Sequence, residues 1–350
     1  MGCLQSSTSQ DDNIQGNGDG DAPQYSWDKR KKLDPKDYML DGLKGETSGR
    51  LPGTVNGEQF LIQNCEDCNI YVFDHTATVS IDDCTNCKIF LGPVAASVFI
   101  RDCKDCVVML ACQQFRTRDC KKLDIFLCCT TQPIIESTTG VKFGCFQCYY
   151  PELEGQFKSA NLSEYNNNWS NIHDFTPVPG ENNYTLLPED AKPEDILGKP
   201  GPDYFSTVEL TFDLEKTVVP RTIGSRRKPY NESCLVIFFY DGGSHDRAKS
   251  FLQEMERNHP TCVLVQSKEV TMQPSDAHRV FNSDKYAMAV TAGAVIGFEF
   301  CGENVCQQSQ SIVVDLAQGT TGLVYVSNNS EAAVQQIENF YNFADMQMSI

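Results

Sequence analysis

Basic side chains are scarce in this 350-residue chain: 29 Lys and Arg stand against 47 Asp and Glu, a formal net charge of −18. Binding to nucleic acid needs a basic surface to neutralise phosphates, so the charge argues against that class of function. Long apolar runs are missing too. No stretch approaches the roughly 20 residues of a membrane-spanning helix. Residues 4 to 24 are polar and acidic, without the apolar core of a secretory signal. There is no G-x-x-x-x-G-K-S/T loop, so the chain is not expected to cradle a nucleotide by itself. Against these absences the 17 cysteines stand out. Without an export signal they are expected to be free thiols in a reducing cytosol rather than a disulfide framework. The length leaves room for two domains, each with its own core.

What the chain has instead is a repeat between Phe60 and Cys145. Cys65-Glu66-Asp67-Cys68-Asn69-Ile70-Tyr71 returns as Cys84-Thr85-Asn86-Cys87-Lys88-Ile89-Phe90 and as Cys103-Lys104-Asp105-Cys106-Val107-Val108-Met109. Weaker copies begin at Cys120 and Thr138, so equivalent positions step by 19, 19, 17 and 18 residues. A short, near-constant period means stacked supersecondary units. Before each pair, residues alternate (Phe60, Ile62; Val79, Ile81; Val98, Ile100; Phe115, Thr117), which is strand spacing with one buried face. After it comes a second short apolar run. No repeat holds a helix-length segment of 3.6 periodicity, so each is read as one coil of a β-helix.

The spacing C-x2-C-x15-C-x2-C over Cys65, Cys68, Cys84 and Cys87 is also one that structural zinc sites use. Two features favour a packed core instead. A third pair, Cys103 and Cys106, arrives at the same step, and one site cannot take six ligands. The column Cys68, Cys87, Cys106 then continues as Leu123 and Val141, neither of which binds metal. Free cysteine suits such a column as a small buried hydrophobe, and no metal is expected. The neighbouring column, Asn64, Asp83, Asp102, Asp119 and Ser137, is expected at a coil corner, where short polar side chains bond nearby backbone.

At the N-terminus, Met1-Gly2-Cys3-Leu4-Gln5-Ser6 fits M-G-x-x-x-S/T, which marks Gly2 for myristoylation. One acyl chain anchors only marginally. Residues 4 to 28 contain no Lys or Arg to help, so Cys3 is expected to supply the second signal as a palmitoylated thiol, with Lys29-Arg30-Lys31-Lys32 a distant aid. Residues 1–24 then form a disordered acylated tether.

The strand register sorts the outside of the coils. Arg116 and Arg118 flank the inward Thr117 and project outward, and the equivalent positions one coil on are Ile134 and Glu136. Gln113 and Gln114 are expected to reach the same edge from the preceding turn. The plain reading of such a cluster is a surface ion pair of little energetic weight. The sharper one is a face where arginine meets phosphate.

Three stretches carry a family resemblance: Cys112-Gln113-Gln114-Phe115-Arg116-Thr117-Arg118-Asp119-Cys120, Gly49-Arg50-Leu51-Pro52-Gly53-Thr54-Val55 and Trp169-Ser170-Asn171-Ile172-His173-Asp174-Phe175. They resemble the tubulin-cofactor-C domain. The resemblance implies a right-handed parallel β-helix acting as a GTPase-activating protein for an Arf-like small GTPase of the Arf-like protein 3 type. It implies an arginine finger at Arg116, supported by Gln113 and Glu136, with Arg118 and Phe175 contacting the partner. GTP and magnesium would come with that partner, so no cofactor of the chain's own is expected. It would not be an enzyme with its own substrate. The implied setting is the cytoplasmic face of the plasma membrane, the cytoplasm and the ciliary base, where lipidated cargo is released. Tubulin-folding chaperone or scaffold, with tubulin as partner, is the alternative from the same domain type.

The aromatic-rich residues 146–187 are expected to finish and cap the solenoid within a domain spanning 25–187. The Pro- and charge-rich 188–232 reads as a linker. From 233 to 350 the pattern changes to strands at Leu235–Tyr240, Cys262–Val265, Ala294–Phe300 and Leu323–Val326, alternating with helices at His245–Arg257, Pro274–Phe281, Ile312–Leu316 and Ala332–Phe343. By resemblance this is a ferredoxin-like α/β domain similar to nucleoside diphosphate kinase. That enzyme's histidine loop is not found here. His245, His259 and His278 are therefore taken as surface residues and the domain as non-catalytic, with a nucleotide kinase the weaker alternative.

Overall fold

The computed structural model describes residues 34–201, 205–317 and 322–348. Gly2, Cys3, the tether and the basic cluster at 29–32 lie outside the described residues. The chain divides after Pro35, and the second unit, Lys36–Ile350, is compact.

Within the second unit, two parallel ladders of strands form a solenoid. One ladder runs through Met39–Asp41, Phe60–Gln63, Val79–Asp82, Val94–Arg101, the C-terminal half of Lys104–Arg118, Ile134–Glu136 and His173–Asp174. The other runs through Thr47–Arg50, Asn69–Val72, Lys88–Leu91, the N-terminal half of Lys104–Arg118, Lys121–Cys129, Val141–Cys145 and Tyr184–Leu186. The repeat step is the pairing step. Phe60 pairs with Val79, Val79 with Val98 and Val98 with Phe115, while Ile70, Ile89, Val108, Ile125 and Phe143 stack in the second ladder. All of these side chains are buried. In the first ladder a slip of one residue would turn Phe60, Val79, Val98 and Phe115 to solvent, so the alternation holds the register there, whereas consecutive residues are buried in the second.

The corners explain the polar columns more fully than hydrogen bonding alone. Asn64, Asp83, Asp102 and Asp119 have φ of 55°, 52°, 53° and 55°, and Asp67, Asn86 and Asp105 repeat this at 57°, 53° and 54°. Left-handed backbone costs most L-residues about 1–2 kcal/mol, and Asn and Asp tolerate it best after Gly. The three coils with cysteine pairs therefore turn twice at a short polar residue, and Gly42, Gly45, Lys122 and Gly140 take the same backbone at corners of the flanking coils. Some of these also bond along the column, as Asn86 Nδ2 does to Asp67 Oδ1 at 2.6 Å.

The cysteines line the inside. Cys68, Cys87, Cys106, Leu123 and Val141 are all buried, in the packed column the spacing implied. The thiols donate to carbonyls two residues back, as Cys103 does to Arg101 O at 3.2 Å and Cys106 to Lys104 O at 3.3 Å. Burial pushes the Cys112, Cys128 and Cys148 thiols well above their ordinary range, which leaves them protonated and unreactive.

Residues 146–187 close the solenoid with the helix Leu153–Ser159, buried through Leu153 and Phe157, and with the two last paired strands. The segment 188–232 is not a free linker. Phe205, Val208, Leu210, Phe212 and Val219 are buried in the solenoid's own core cluster, and Ile223 N bonds Leu264 O of the following domain at 3.0 Å. Proline and charge do keep it irregular, but five apolar side chains among them suffice to seat it.

The C-terminal domain is a four-stranded antiparallel sheet of Ser233–Phe238, Val263–Val270, Val295–Cys301 and Val324–Val326, in spatial order second, third, first, fourth. That is the ferredoxin-like order. Cys234, Val236 and Phe238 pack with Phe251, Val305 and Ile312 of the helices Ser244–Asn258 and Val305–Ala317. Leu235 and Ile237 pack with Val280, Ile337 and Phe340 of Pro274–Phe281 and Ser330–Met348. A sheet covered on both faces needs apolar residues at every position of its central strand, hence the unbroken run from Leu235. The helix expected at Ile312–Leu316 begins earlier, at Val305, because a polar first half hid it, and the second strand extends to Val270.

Candidate functional site

The strand Lys104–Arg118 belongs to both ladders. It bends near Cys112–Gln114 without a turn, having no Gly or Pro there, and it keeps pairing on either side. Gln113 therefore does not enter from a preceding turn. Its exposed side chain is absent from the depression described below, and its carbonyl accepts from Thr131 N at 3.0 Å and Thr131 Oγ1 at 2.9 Å. Gln114 bonds Ser97 Oγ at 3.1 Å.

Past the bend, Phe115 and Thr117 point inward and Arg116 and Arg118 outward. Parallel pairing lays out the face rung by rung: Phe99, Arg116 and Ile134 on one line, Arg101, Arg118 and Glu136 on the next. Phe175 N donates to Ile135 O at 2.9 Å, which seats an exposed Phe175 (59% accessible) on the following rung with its ring edge-on to His173 at 4.6 Å. Together these line a shallow depression of about 400 Å³. Beneath them Thr117 Oγ1 donates to Thr138 Oγ1 at 3.2 Å, and Thr138 Oγ1 donates to Glu136 O at 2.8 Å. This buried hydroxyl pair ties the two rungs together where earlier coils carry apolar side chains.

The three arginines differ in what holds them. Arg101 makes a two-pronged pair with Asp82, Nε to Oδ1 at 2.7 Å and Nη2 to Oδ2 at 2.8 Å, which raises its pKa further. Arg118 Nε lies 3.3 Å from Asp119 Oδ2. Arg116 has no hydrogen-bond or ion-pair partner among the described residues, and neither has the Glu136 carboxylate. Arg118 thus pairs with the adjacent Asp119 and not with Glu136 one coil on. The face thus offers one unengaged guanidinium between the apolar Phe99 and Ile134, with an unengaged carboxylate one rung away. That arrangement can grip an anion, and it can hold it only against a surface that covers the apolar rim.

The strand register put Arg116, Arg118 and Glu136 on one face and the family resemblance added Phe175; the structure lines one depression with all four and leaves Gln113 at the bend. Sequence reasoning missed Phe99, whose signal was available: an apolar residue at an outward position between Val98 and Ile100. It also missed Asn166-Asn167-Asn168. His245 is exposed, as expected, but its ring is engaged. Its Nε2 is 2.8 Å from Glu269 Oε1 and its Nδ1 3.7 Å from Glu164 Oε1, and these two carboxylates, Glu164 foremost, raise its pKa to about 10. A second concavity of about 370 Å³ near residues 214–223 is ringed by Glu154, Glu164, Glu189, Glu215 and Glu256. Its Lys249 is held by Glu154 and its Arg221 by the Glu189 carbonyl, so it is a poor place for phosphate.

The family model described as Tubulin binding cofactor C matches residues 57–175. Protein XRP2 of Gallus gallus is 55% identical over 335 residues, covering 95% of this chain and 93% of that one. Tubulin-specific chaperone C of Homo sapiens is 33% identical over 153 residues, 43% of this chain and 44% of its own. The solved structure titled Tubulin Binding Cofactor C from Leishmania major aligns at 21% identity with a TM-score of 0.28, over 43% of this chain and 84% of that chain.

Proposed function

This chain belongs to the XRP2 family, whose tubulin binding cofactor C domain it carries, and from that premise we propose that it activates GTP hydrolysis on an Arf-like small GTPase. It does so by supplying Arg116 in trans, and it is not an enzyme with a substrate of its own. The observation that carries the reading is the unengaged Arg116 guanidinium on a rigid, apolar-rimmed rung beside two arginines already held by aspartates. A finger must reach a partner's phosphates without first breaking a pair at home, and of the three only Arg116 meets that condition among the described residues.

The chemistry follows from the residue types. When the partner's surface covers Phe99, Ile134 and Phe175, water leaves the depression and the field of Arg116 strengthens. Its planar fork can meet two phosphate oxygens as charge develops on the transferring group. Glu136, one rung along, orients the guanidinium or a partner group, and Arg118 contacts the partner's rim. Gln113, at the bend three residues before Arg116 and outside the depression, acts at the edge of the contact. GTP and magnesium are the partner's. Acylation at Gly2 and Cys3 would hold the chain on the cytoplasmic face of the plasma membrane and near the cilium, where the cycle would release lipidated cargo.

The second reading, tubulin folding or scaffolding, is favoured by the 33% identity to Tubulin-specific chaperone C over the same domain. Single-turnover GTP hydrolysis separates the two. The chain should accelerate an Arf-like GTPase and leave tubulin's hydrolysis at its basal rate; the reverse result would replace the first reading with the second.

A further inference from the structure

Three consecutive asparagines join the solenoid to the C-terminal domain, each doing a different part of the work. Asn166 pairs with the edge of the strand Val263–Val270 as another strand would, donating Nδ2 to Glu269 O at 3.0 Å and accepting Glu269 N on Oδ1 at 2.7 Å. Asn167 Oδ1 accepts from Cys129 N at 3.1 Å, closing the end of a coil strand. Asn168 reaches both ways: Nδ2 donates to Thr130 O at 2.6 Å, and Oδ1 accepts from Lys268 Nζ at 2.6 Å.

Lys268 is an unusual donor. Its side chain is 2% exposed and lies 3.1 Å from Asp345 on the last helix. Burying an ammonium is costly unless it is paired and hydrogen-bonded. Asn168 is one of the groups that meets this need, so the amide is held in one orientation with its Nδ2 aimed at Thr130. The next residue, Thr131, bonds the Gln113 carbonyl twice, and Pro133 O accepts from His173 N at 2.8 Å. Immediately after these comes the rung Ile134–Glu136.

We propose that the C-terminal domain braces the partner-binding face, with Lys268 acting through Asn168 as a positioning residue for residues 130–133 and for the rung that carries Ile134 and Glu136. This rests on the reading of that face as the GTPase contact. It gives the ferredoxin-like domain a role that needs no catalysis of its own. Lys268 touches no partner atom; it removes freedom from the loop that delivers Glu136 and, through His173, Phe175.

The test uses the full chain with Lys268→Met, Lys268→Arg and Asn168→Asp. Asn168→Asp keeps an acceptor for Lys268 and loses the donor to Thr130, so it cuts the relay on one side only. Without any GTPase present, amide hydrogen exchange at Thr130, Thr131 and Ile135 should quicken about tenfold in Lys268→Met and in Asn168→Asp, the scale of one charge-assisted hydrogen bond. Exchange within Phe60–Gln63 and Val79–Asp82 should stay within about twofold, and Lys268→Arg should remain close to wild type. With an Arf-like GTPase, both loosening variants should raise the concentration for half-maximal stimulation about tenfold and leave the saturated rate within about twofold, since Arg116 is untouched. Unchanged exchange at 130–135, or an equal rise through every coil, would overturn the brace. Should wild type stimulate no Arf-like GTPase, the functional reading falls while the exchange measurement still decides the brace.

Discussion

Replacing Arg116 by Ala removes the finger and almost nothing else. The side chain is exposed and without a partner among the described residues, so its loss should change stability by no more than about 0.5 kcal/mol. The catalytic effect is of another order. Fingers supplied in trans are worth roughly 10³–10⁵ in rate, about 4–7 kcal/mol at 1.36 kcal/mol per decade. The structure argues for the lower end. Arg118 lies two residues along the same strand, about 6.6 Å away at 3.3 Å per residue. Its bond to Asp119 is solvent-exposed and worth about 0–1 kcal/mol, so a fraction of bound complexes can recruit it instead. We expect Arg116→Ala to lower the single-turnover hydrolysis rate at saturating activator about 10³-fold, and the Arg116→Ala/Arg118→Ala double variant to reach the GTPase's intrinsic rate. Arg116→Lys keeps the charge but not the fork and should still lose about 10². Thermal unfolding of each should match wild type. Stimulation by Arg116→Ala within twofold of wild type would refute the assignment and return Arg116 to an ordinary surface cation.

Other outcomes follow from the fold. Asp102 sits at φ 53°, so Asp102→Val should lower stability in urea by about 1–2 kcal/mol while Asp102→Gly stays near wild type; equal losses would discredit the left-handed corner. A Cβ on Gly49 would stand 1.8 Å from the Tyr71 carbonyl oxygen, so Gly49→Ala should cost about 3 kcal/mol or fail to fold, as read by denaturant midpoint. For His245 the folded pKa of about 10 lies above the ordinary value. Its contribution is therefore complete below pH 6.5, declines as pH rises, and is gone above 10; with the ring half-exposed we expect about 1 kcal/mol. Stability should fall between those pH values in wild type and change less in His245→Gln; parallel curves would show the two carboxylates add nothing. Gly2→Ala should abolish membrane association in cells and Cys3→Ser should weaken it strongly; full retention of Cys3→Ser on membranes would exclude the two-chain anchor.

The solenoid was legible because its energetics are local to each column. Phe60, Val79, Val98 and Phe115 share a step, and so does the left-handed corner of Asn64, Asp83, Asp102 and Asp119, so a period in the letters is a rung in space. The same arithmetic put Glu136 one rung from Arg118. It could not say that Asp119 would take Arg118 and leave Glu136 unengaged, because that choice depends on side-chain reach. The segment 188–232 was misread as a linker for a related reason. Among its buried residues Val208, Leu210 and Phe212 do alternate at strand spacing, but the run is short, pairs through the isolated bridge of Thr211 to Tyr149, and packs on a surface already built by the coils.

Sequence alone determined the coil step, the inward and outward faces and the pair of outward arginines, Arg116 and Arg118, because parallel pairing at fixed register copies sequence spacing into three dimensions. Tertiary structure decided which arginine is unengaged, and that the depression around it is rimmed by Phe99, Ile134 and Phe175. It also decided that Lys268, some 130 residues on in the chain, stands behind the loop that carries Glu136. Phe99 and Ile134 share the ladder register with Arg116, but the arginines' choice of partners and the placing of Phe175 and Lys268 are contacts that no period fixes, and only the folded chain makes them.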